Sequence, residues 1–210
     1  MNPYHKIATV FNRDTNNHSL IHGSFSRASF EALADLIWRW EEKVYGTNTR
    51  VIYDPDAPFS TQMVRFAGKE EGSVLPTELE WKLEKLFPVE KLEAVFGGSP
   101  ATLYGEGYGG GIQGGGGYGE VDFILFDVFF AGIFFARAGV EGLASDLEVD
   151  DVPVLARGSL MAAVHAVESD SLKSGLRDGP PEGLILRPPV DLWDATGERV
   201  IAKIKRKDFA

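Results

Sequence analysis

From Phe123 to Ala136 the only charged side chain is Asp127. A run of that length is too short to cross a bilayer, which takes about 20 apolar residues in a helix, and an acid at its centre would be costly in lipid. It has to be buried by protein. Gly132 interrupts it, so the run predicts two core strands joined near that glycine, and any fold this chain adopts must be built around them.

The rest of the 210 residues can supply such a core, because 44% are hydrophobic, enough for one large domain or two small ones. There is no cysteine, which excludes a disulfide framework and thiolate metal sites. His5, His18, His22 and His165 show no ligand spacing. Without an apolar amino-terminal run the expected compartment is the cytoplasm, with no membrane partner. The formal net charge of -10 argues against a coat protein for nucleic acid, whose affinity comes from neutralising phosphates. Cations nevertheless gather at Lys203, Lys205, Arg206 and Lys207. Taken alone, that cluster reads as a solvated terminal face.

Strand composition marks Ile7–Phe11, Thr49–Tyr53, Gln62–Phe66, Ala101–Tyr104, Val152–Leu155, Leu184–Leu186 and Val200–Ile204. The second and third of these form a hairpin that brings Arg65 back toward Lys43. Helical spacing marks Phe30–Trp40, whose Trp-Arg-Trp ending also fits the strand that follows. It marks Thr77–Leu86, Lys91–Val95, Val140–Leu147 and Ser159–Val167 as well. Strands dominate without regular βαβ alternation, which predicts an α+β fold with antiparallel sheets forming a cleft. Between Gly105 and Gly119 glycine is so dense that no regular element is expected. The stretch is either a flexible linker between two domains or an ordered loop whose backbone approaches a ligand.

Five segments carry the chemistry: Glu42-Lys43-Val44-Tyr45-Gly46, Tyr104-Gly105-Glu106, Phe123-Ile124-Leu125-Phe126-Asp127, Glu182 to Arg187, and Lys203-Ile204-Lys205. In a strand, residues two apart share a face, so Lys203 and Lys205 can aim at one phosphate while Ile204 enters the core. A lysine nucleophile must be neutral to attack, yet an unperturbed lysine has a pKa of about 10.4, so neighbouring cations are an asset. Glu182 could hold a divalent cation, and Glu106 could accept from a ribose hydroxyl. Singly, each has a plainer reading: a surface lysine, solvated turn glutamates, core phenylalanines.

In this order the five segments resemble the nucleotidyl-transferase signature of covalent ligases. The stretch Glu42 to Asn48, the Tyr104 to Gln113 loop, Val154 to Gly158 and Gly197 to Phe209 are similar to the RNA ligase family, most of all to the phage enzymes that seal nicks in duplex RNA. The resemblance covers nearly the whole chain. It implies a single adenylyltransferase domain over 1–210, of the ATP-grasp-like ligase adenylation type with antiparallel sheets flanking a nucleotide cleft, and no separate C-terminal domain. It also implies an ATP-dependent enzyme that joins RNA 3′-hydroxyl and 5′-phosphate ends through AMP carried on Lys43.

Position by position, Glu42 and Val44 would line the adenosine pocket through main-chain groups. Asn48 and Arg65 would contact phosphates or orient the nucleic-acid ends, Glu106 would bind ribose and Phe123 would stack on adenine. Glu182 would hold Mg2+ or Mn2+, and Lys203 with Lys205 would bind the α-phosphate. The implied partners are RNA ends, in nicked duplex RNA, with an accessory protein in place of the further domain that relatives carry. Tyr45 stands where the family has a smaller or more polar residue. Two other readings remain: a minimal ligase of DNA or RNA/DNA hybrids, and a non-catalytic nucleotide- or nucleic-acid-binding module.

Overall fold

The computed structural model describes residues 3–70 and 72–209. The chain forms two compact units. One, here the Lys43 unit, is made from residues 6–44 and from 153 onward; the other, the Glu106 unit, is made from 45–152 together with the segment up to His5.

The first stretch of the Lys43 unit holds β1 (Ala8–Thr9), β2 (Phe11–Arg13), β3 (Leu20–Phe25), the short helix α1 (Ala28–Ala32) and β4 (Trp38–Lys43). The helix expected over Phe30–Trp40 therefore stops early. Trp38, Arg39, Trp40 and Glu41 alternate apolar and charged, which is a strand period, and Trp38 and Trp40 are buried. The indole N–H of Trp38 donates to the Leu33 carbonyl at 2.8 Å and ties the helix end to the strand.

The Glu106 unit follows with β5 (Thr47–Tyr53), α2 (Ser60–Met63), β6 (Val64–Ala67), α3 (Thr77–Leu86), α4 (Val89–Phe96), β7 (Ala101–Tyr108), β8 (Asp122–Phe130), β9 (Ile133–Phe134), α5 (Arg137–Asp146) and β10 (Asp150–Asp151). Its sheet runs β10-β8-β7-β5-β6, with β9 on β8, and every pairing is antiparallel except β10 with β8. One face carries Val51, Tyr53, Leu103, Phe123, Leu125 and Val128, packed with Leu79 and Leu83 of α3, Leu92 of α4 and Leu143 of α5. Strict alternation would put Leu125 and Val128 on opposite faces. Tyr104 pairs with Asp127 whereas Gly105 pairs with Leu125, so Phe126 is an extra residue, a bulge that returns Val128 to the core side.

Strand β7 continues through Gly105 and Gly107 to Tyr108, four residues beyond the expected end. The glycines are what permit it. A Cβ at Gly105 would collide with the Phe123 ring, and one at Gly107 with the Leu79 side chain, so β7 passes directly over core side chains. The remaining glycine stretch is an ordered loop within this unit. It is closed by Gly110 N–H donating to the Gly119 carbonyl at 2.7 Å and anchored by buried Ile112. It is no linker, since the chain passes between units after His5, Val44 and Val152.

Back in the Lys43 unit come β11 (Val154–Gly158), α6 (Leu160–Glu168), β12 (Gly183–Arg187) and β13 (Ala202–Lys205). The sheet order is β1-β13-β12-β4-β11, parallel only between β1 and β13. Ser159 caps α6, its Oγ accepting from Ala162 N–H at 3.2 Å. Leu160, Ala163, Val164 and Val167 recur at helical spacing and bury one stripe of α6 with Trp38, Trp40, Leu184, Leu186 and Ile204. Among the described residues no helix is long and apolar enough to cross a membrane.

Candidate active site

The tryptophans that bury one face of β4 leave Arg39, Glu41 and Lys43 on the other. Lys43 is the last residue of β4 and stands in register with Gly183 of β12, which in turn faces Lys205 of β13. Register partners share a face, so two lysines flank a residue without a side chain. Both reach the same carboxylate. Lys43 Nζ lies 2.6 Å from Glu182 Oε2, and Lys205 Nζ lies 3.0 Å from Glu182 Oε1. The three side chains are 19%, 21% and 14% exposed for Lys43, Lys205 and Glu182, screened enough to strengthen the pairing and open enough to meet a solute.

Ile204 is fully buried and the two lysines beside it point the other way, as the alternation of β13 predicts. Lys203 stands one row from Lys205, opposite Ile185. The row arrangement depends on Gly183. A Cβ there would collide with the Ile204 carbonyl oxygen and come within 2.7 Å of the Lys205 Cα, both backbone atoms that cannot rotate aside. Gly183→Ala should therefore force β12 from β13 and cost about 1–3 kcal/mol, as overpacking typically does. Urea unfolding would show this as a lower midpoint at unchanged slope; an unchanged midpoint would mean the two strands tolerate separation.

Glu42 points to the other side of the sheet, in register with Leu184, and is 1% exposed. Its carboxylate accepts from Ser174 Oγ at 2.5 Å and Gly175 N–H at 2.8 Å, while its own N–H donates to the Pro153 carbonyl at 2.9 Å. Its side chain is thus an anchor for the 174–175 turn, a role the sequence did not announce. Val44 is buried, and its carbonyl is 3.4 Å from Lys43 Nζ.

A second charged group also escaped sequence reasoning. Glu41, 1% exposed, accepts from Arg39 Nε at 2.8 Å and Arg187 Nε at 2.9 Å, which joins β4 to β12 two residues before Lys43. A buried carboxylate held by two guanidinium groups is compensated. The charged period-two pattern of Arg39, Glu41 and Lys43 was the available signal.

In the Glu106 unit, Asn48, Glu106 and Ile124 form one row across β5, β7 and β8, on the face away from that unit's core. Glu106 is half-buried. Asn48 Oδ1 is buried and has no hydrogen-bond partner among the described residues, the kind of unsatisfied acceptor that marks a place for a ligand donor or a water. Gly46 makes the approach possible, since a Cβ there would collide with the Gly107 carbonyl oxygen and lie 2.8 Å from Glu106 Cγ. In the next row Tyr104 faces Arg50 and Asp127. Burial pushes the Tyr104 hydroxyl above its ordinary value, Arg50 opposes and Asp127 adds to the rise, so it stays protonated.

Two expected residues sit elsewhere. Arg65 is exposed on β6 opposite Ile52, four residues along β5 from Asn48 and so about 13 Å away along the strand. Phe123 is 1% exposed, with its ring edge-on to Phe87 at 5.3 Å between centroids and covered by Gly105. Adenine stacking on Phe123 does not fit this placement, because its faces are occupied by the core. Among the described residues no cluster of three or more His, Cys, Asp or Glu side chains could hold a metal ion.

The RNA ligase family model matches residues 37–205, a span that includes Lys43, Glu106, Glu182 and Lys205, and the chain belongs to that family. Solved structures of Naegleria gruberi RNA ligase share the fold. A variant with ATP and manganese superposes with a TM-score of 0.61 at 18% identity, over 84% of this chain and 52% of that one. An apo variant gives 0.64 at 17% identity, over 100% and 59%, and the enzyme with pyrophosphate gives 0.63 at 18%, over 96% and 61%. The chain thus spans between about half and three-fifths of the length of these relatives. No curated protein sequence matches it.

Proposed function

We propose that the chain is an ATP-dependent RNA ligase, its whole length acting as one adenylyltransferase domain with Lys43 as nucleophile. The observation that carries this reading is the convergence of Lys43 and Lys205 on Glu182 across three adjacent strands in a member of the RNA ligase family. The Naegleria structures solved with ATP and manganese support the choice of nucleotide and metal.

In the first step the neutral Lys43 amine attacks the α-phosphorus of ATP. A P–N bond forms, the bond to the β-phosphate oxygen breaks, pyrophosphate leaves and the amine's proton goes to solvent. The AMP then passes to an RNA 5′-phosphate, forming an anhydride and freeing Lys43. Attack by the neighbouring strand's 3′-hydroxyl on that 5′-phosphate closes the backbone and expels AMP. Lys203 and Lys205 bind the α-phosphate, the main chain of Glu42 and Val44 borders the adenosine, Glu106 takes the ribose, and Asn48 offers its free Oδ1 to the substrate. Arg65, from its exposed position, orients the nucleic acid, and a nick in duplex RNA is the preferred acceptor.

The donor set suits a metal held in part by substrate: a single carboxylate, Glu182, fits magnesium or manganese bound through one protein oxygen and phosphate oxygens. When bound, the ion neutralises charge that develops on the phosphates. Glu182 also pairs with both Lys43 and Lys205 and so sets their aim.

The test is incubation with α-labelled ATP and magnesium, followed by denaturing electrophoresis. Label should stay on the protein and be released by acid, as a phosphoramidate is; protein stripped of AMP beforehand that takes up no label overturns the reading.

A further inference from the structure

Helix α3 buries Leu79 and Leu83 completely yet leaves Trp81 60% exposed. The core does not need that indole, and its N–H has no hydrogen-bond partner among the described residues. Trp81 lies in an open groove of about 590 Å³, walled on one side by Glu78, Lys82 and Lys85 of the same helix. The facing wall is the glycine loop, through Gly110, Gly119 and Glu120. Lys82 is paired with Asp122 at 3.0 Å, whereas Lys85, Glu78 and Glu120 have no ion-pair partner among the described residues.

The exposed indole and the unpaired Lys85, one turn further along α3, point to the occupant. A nucleotide unit of RNA has what each wall accepts. Its base offers a π-face to the indole and N–H donors to the carboxylates, and its phosphate is an anion for Lys85. The loop contributes glycines, Gly110 and Gly119, against which a strand can lie closely. We propose that this groove seats an unstacked nucleotide of the RNA substrate, with its base on Trp81 and its phosphate at Lys85. The inference rests on the RNA ligase reading and adds to it a substrate subsite that uses none of the residues of the five signature segments.

Binding of a fluorescein-labelled single-stranded hexaribonucleotide, followed by anisotropy, tests this on the full chain. Trp81→Ala should weaken binding about tenfold or more, and Trp81→Phe should restore most of it, because a phenyl ring still stacks. Lys85→Ala should lower affinity and reduce the slope of log affinity against log salt by about 0.7, the value for one phosphate contact to a single strand. Equal affinity of Trp81→Ala and wild type, or no binding of the oligonucleotide by wild type, overturns the proposal. Self-labelling of the wild type with ATP is read separately. A protein that labels but is indifferent to Trp81 keeps its ligase chemistry and loses this subsite; one that depends on Trp81 but never labels is an RNA binder rather than a ligase.

Discussion

Lys43→Ala should take up no label from α-labelled ATP at any concentration or pH. The reason is stoichiometric rather than energetic: the P–N bond needs an amine at this place, and the neighbouring Lys205 is engaged with Glu182 Oε1 on the far side of Gly183. The variant should nevertheless fold. Its loss is one partly exposed ion pair, and Glu182 keeps Lys205 as a partner, so stability should fall by about 1 kcal/mol or less, equivalent to about 2–4 °C in Tm at this size. Normal far-ultraviolet circular dichroism with no label is the expected pair of results. Label persisting on Lys43→Ala would move the nucleophile elsewhere.

Glu182→Ala should reduce the rate of labelling by about a hundredfold or more, the scale on which one placed electrostatic group acts at a phosphoryl centre. Its removal leaves Lys43 and Lys205 adjacent with no anion between them, so the two ammonium groups repel and lose their shared aim. Glu182→Gln separates shape from charge. The amide oxygen can still accept from one lysine while its NH2, a donor, faces the other, so a rate near that of Glu182→Ala would show that the carboxylate is required, and a rate near wild type would show that one accepting oxygen suffices. An opposite result is informative too. If Glu182 served only to hold Lys43 in its charged, unreactive form, the alanine variant would label faster than wild type, and the proposed role in metal and phosphate handling would fall.

Much of this site was legible because it is written in short-range pattern. The alternation of Lys203, Ile204 and Lys205 places two cations on one face, and β13 has that arrangement. Lys43 at a strand end, helix α3 with its start at Thr77 and end at Leu86, and the strand break near Gly132 follow from composition and breakers within a few residues. What could not be read depends on partners distant in sequence. Glu41 meets Arg187 across 146 positions, and nothing local to either announces the pair. For Glu42 the expected role was one of main-chain groups, and nothing local showed that its side chain turns toward Ser174 and Gly175. The register shift at Phe126 returns Val128 to the core side, which no local pattern announces, whereas Phe123 is core by plain alternation with Leu125. The glycine stretch misled by density: Gly105 and Gly107 are strand residues because Phe123 and Leu79 leave no room for a side chain above them.

The threading of the chain has a consequence for its synthesis. All of β5 to β10 is complete once Val152 has left the ribosome, so the Glu106 unit can fold while translation continues. Strand β4 has no such opportunity. Its neighbours β11 and β12 come later in the chain, so Lys43 waits on a nascent strand with unpaired edges until residue 187 has been made. Glu182 follows Lys43 by 139 positions, and Lys205, which shares that carboxylate, comes later still. A chain stalled before residue 182 would therefore carry the lysine without the carboxylate that positions it.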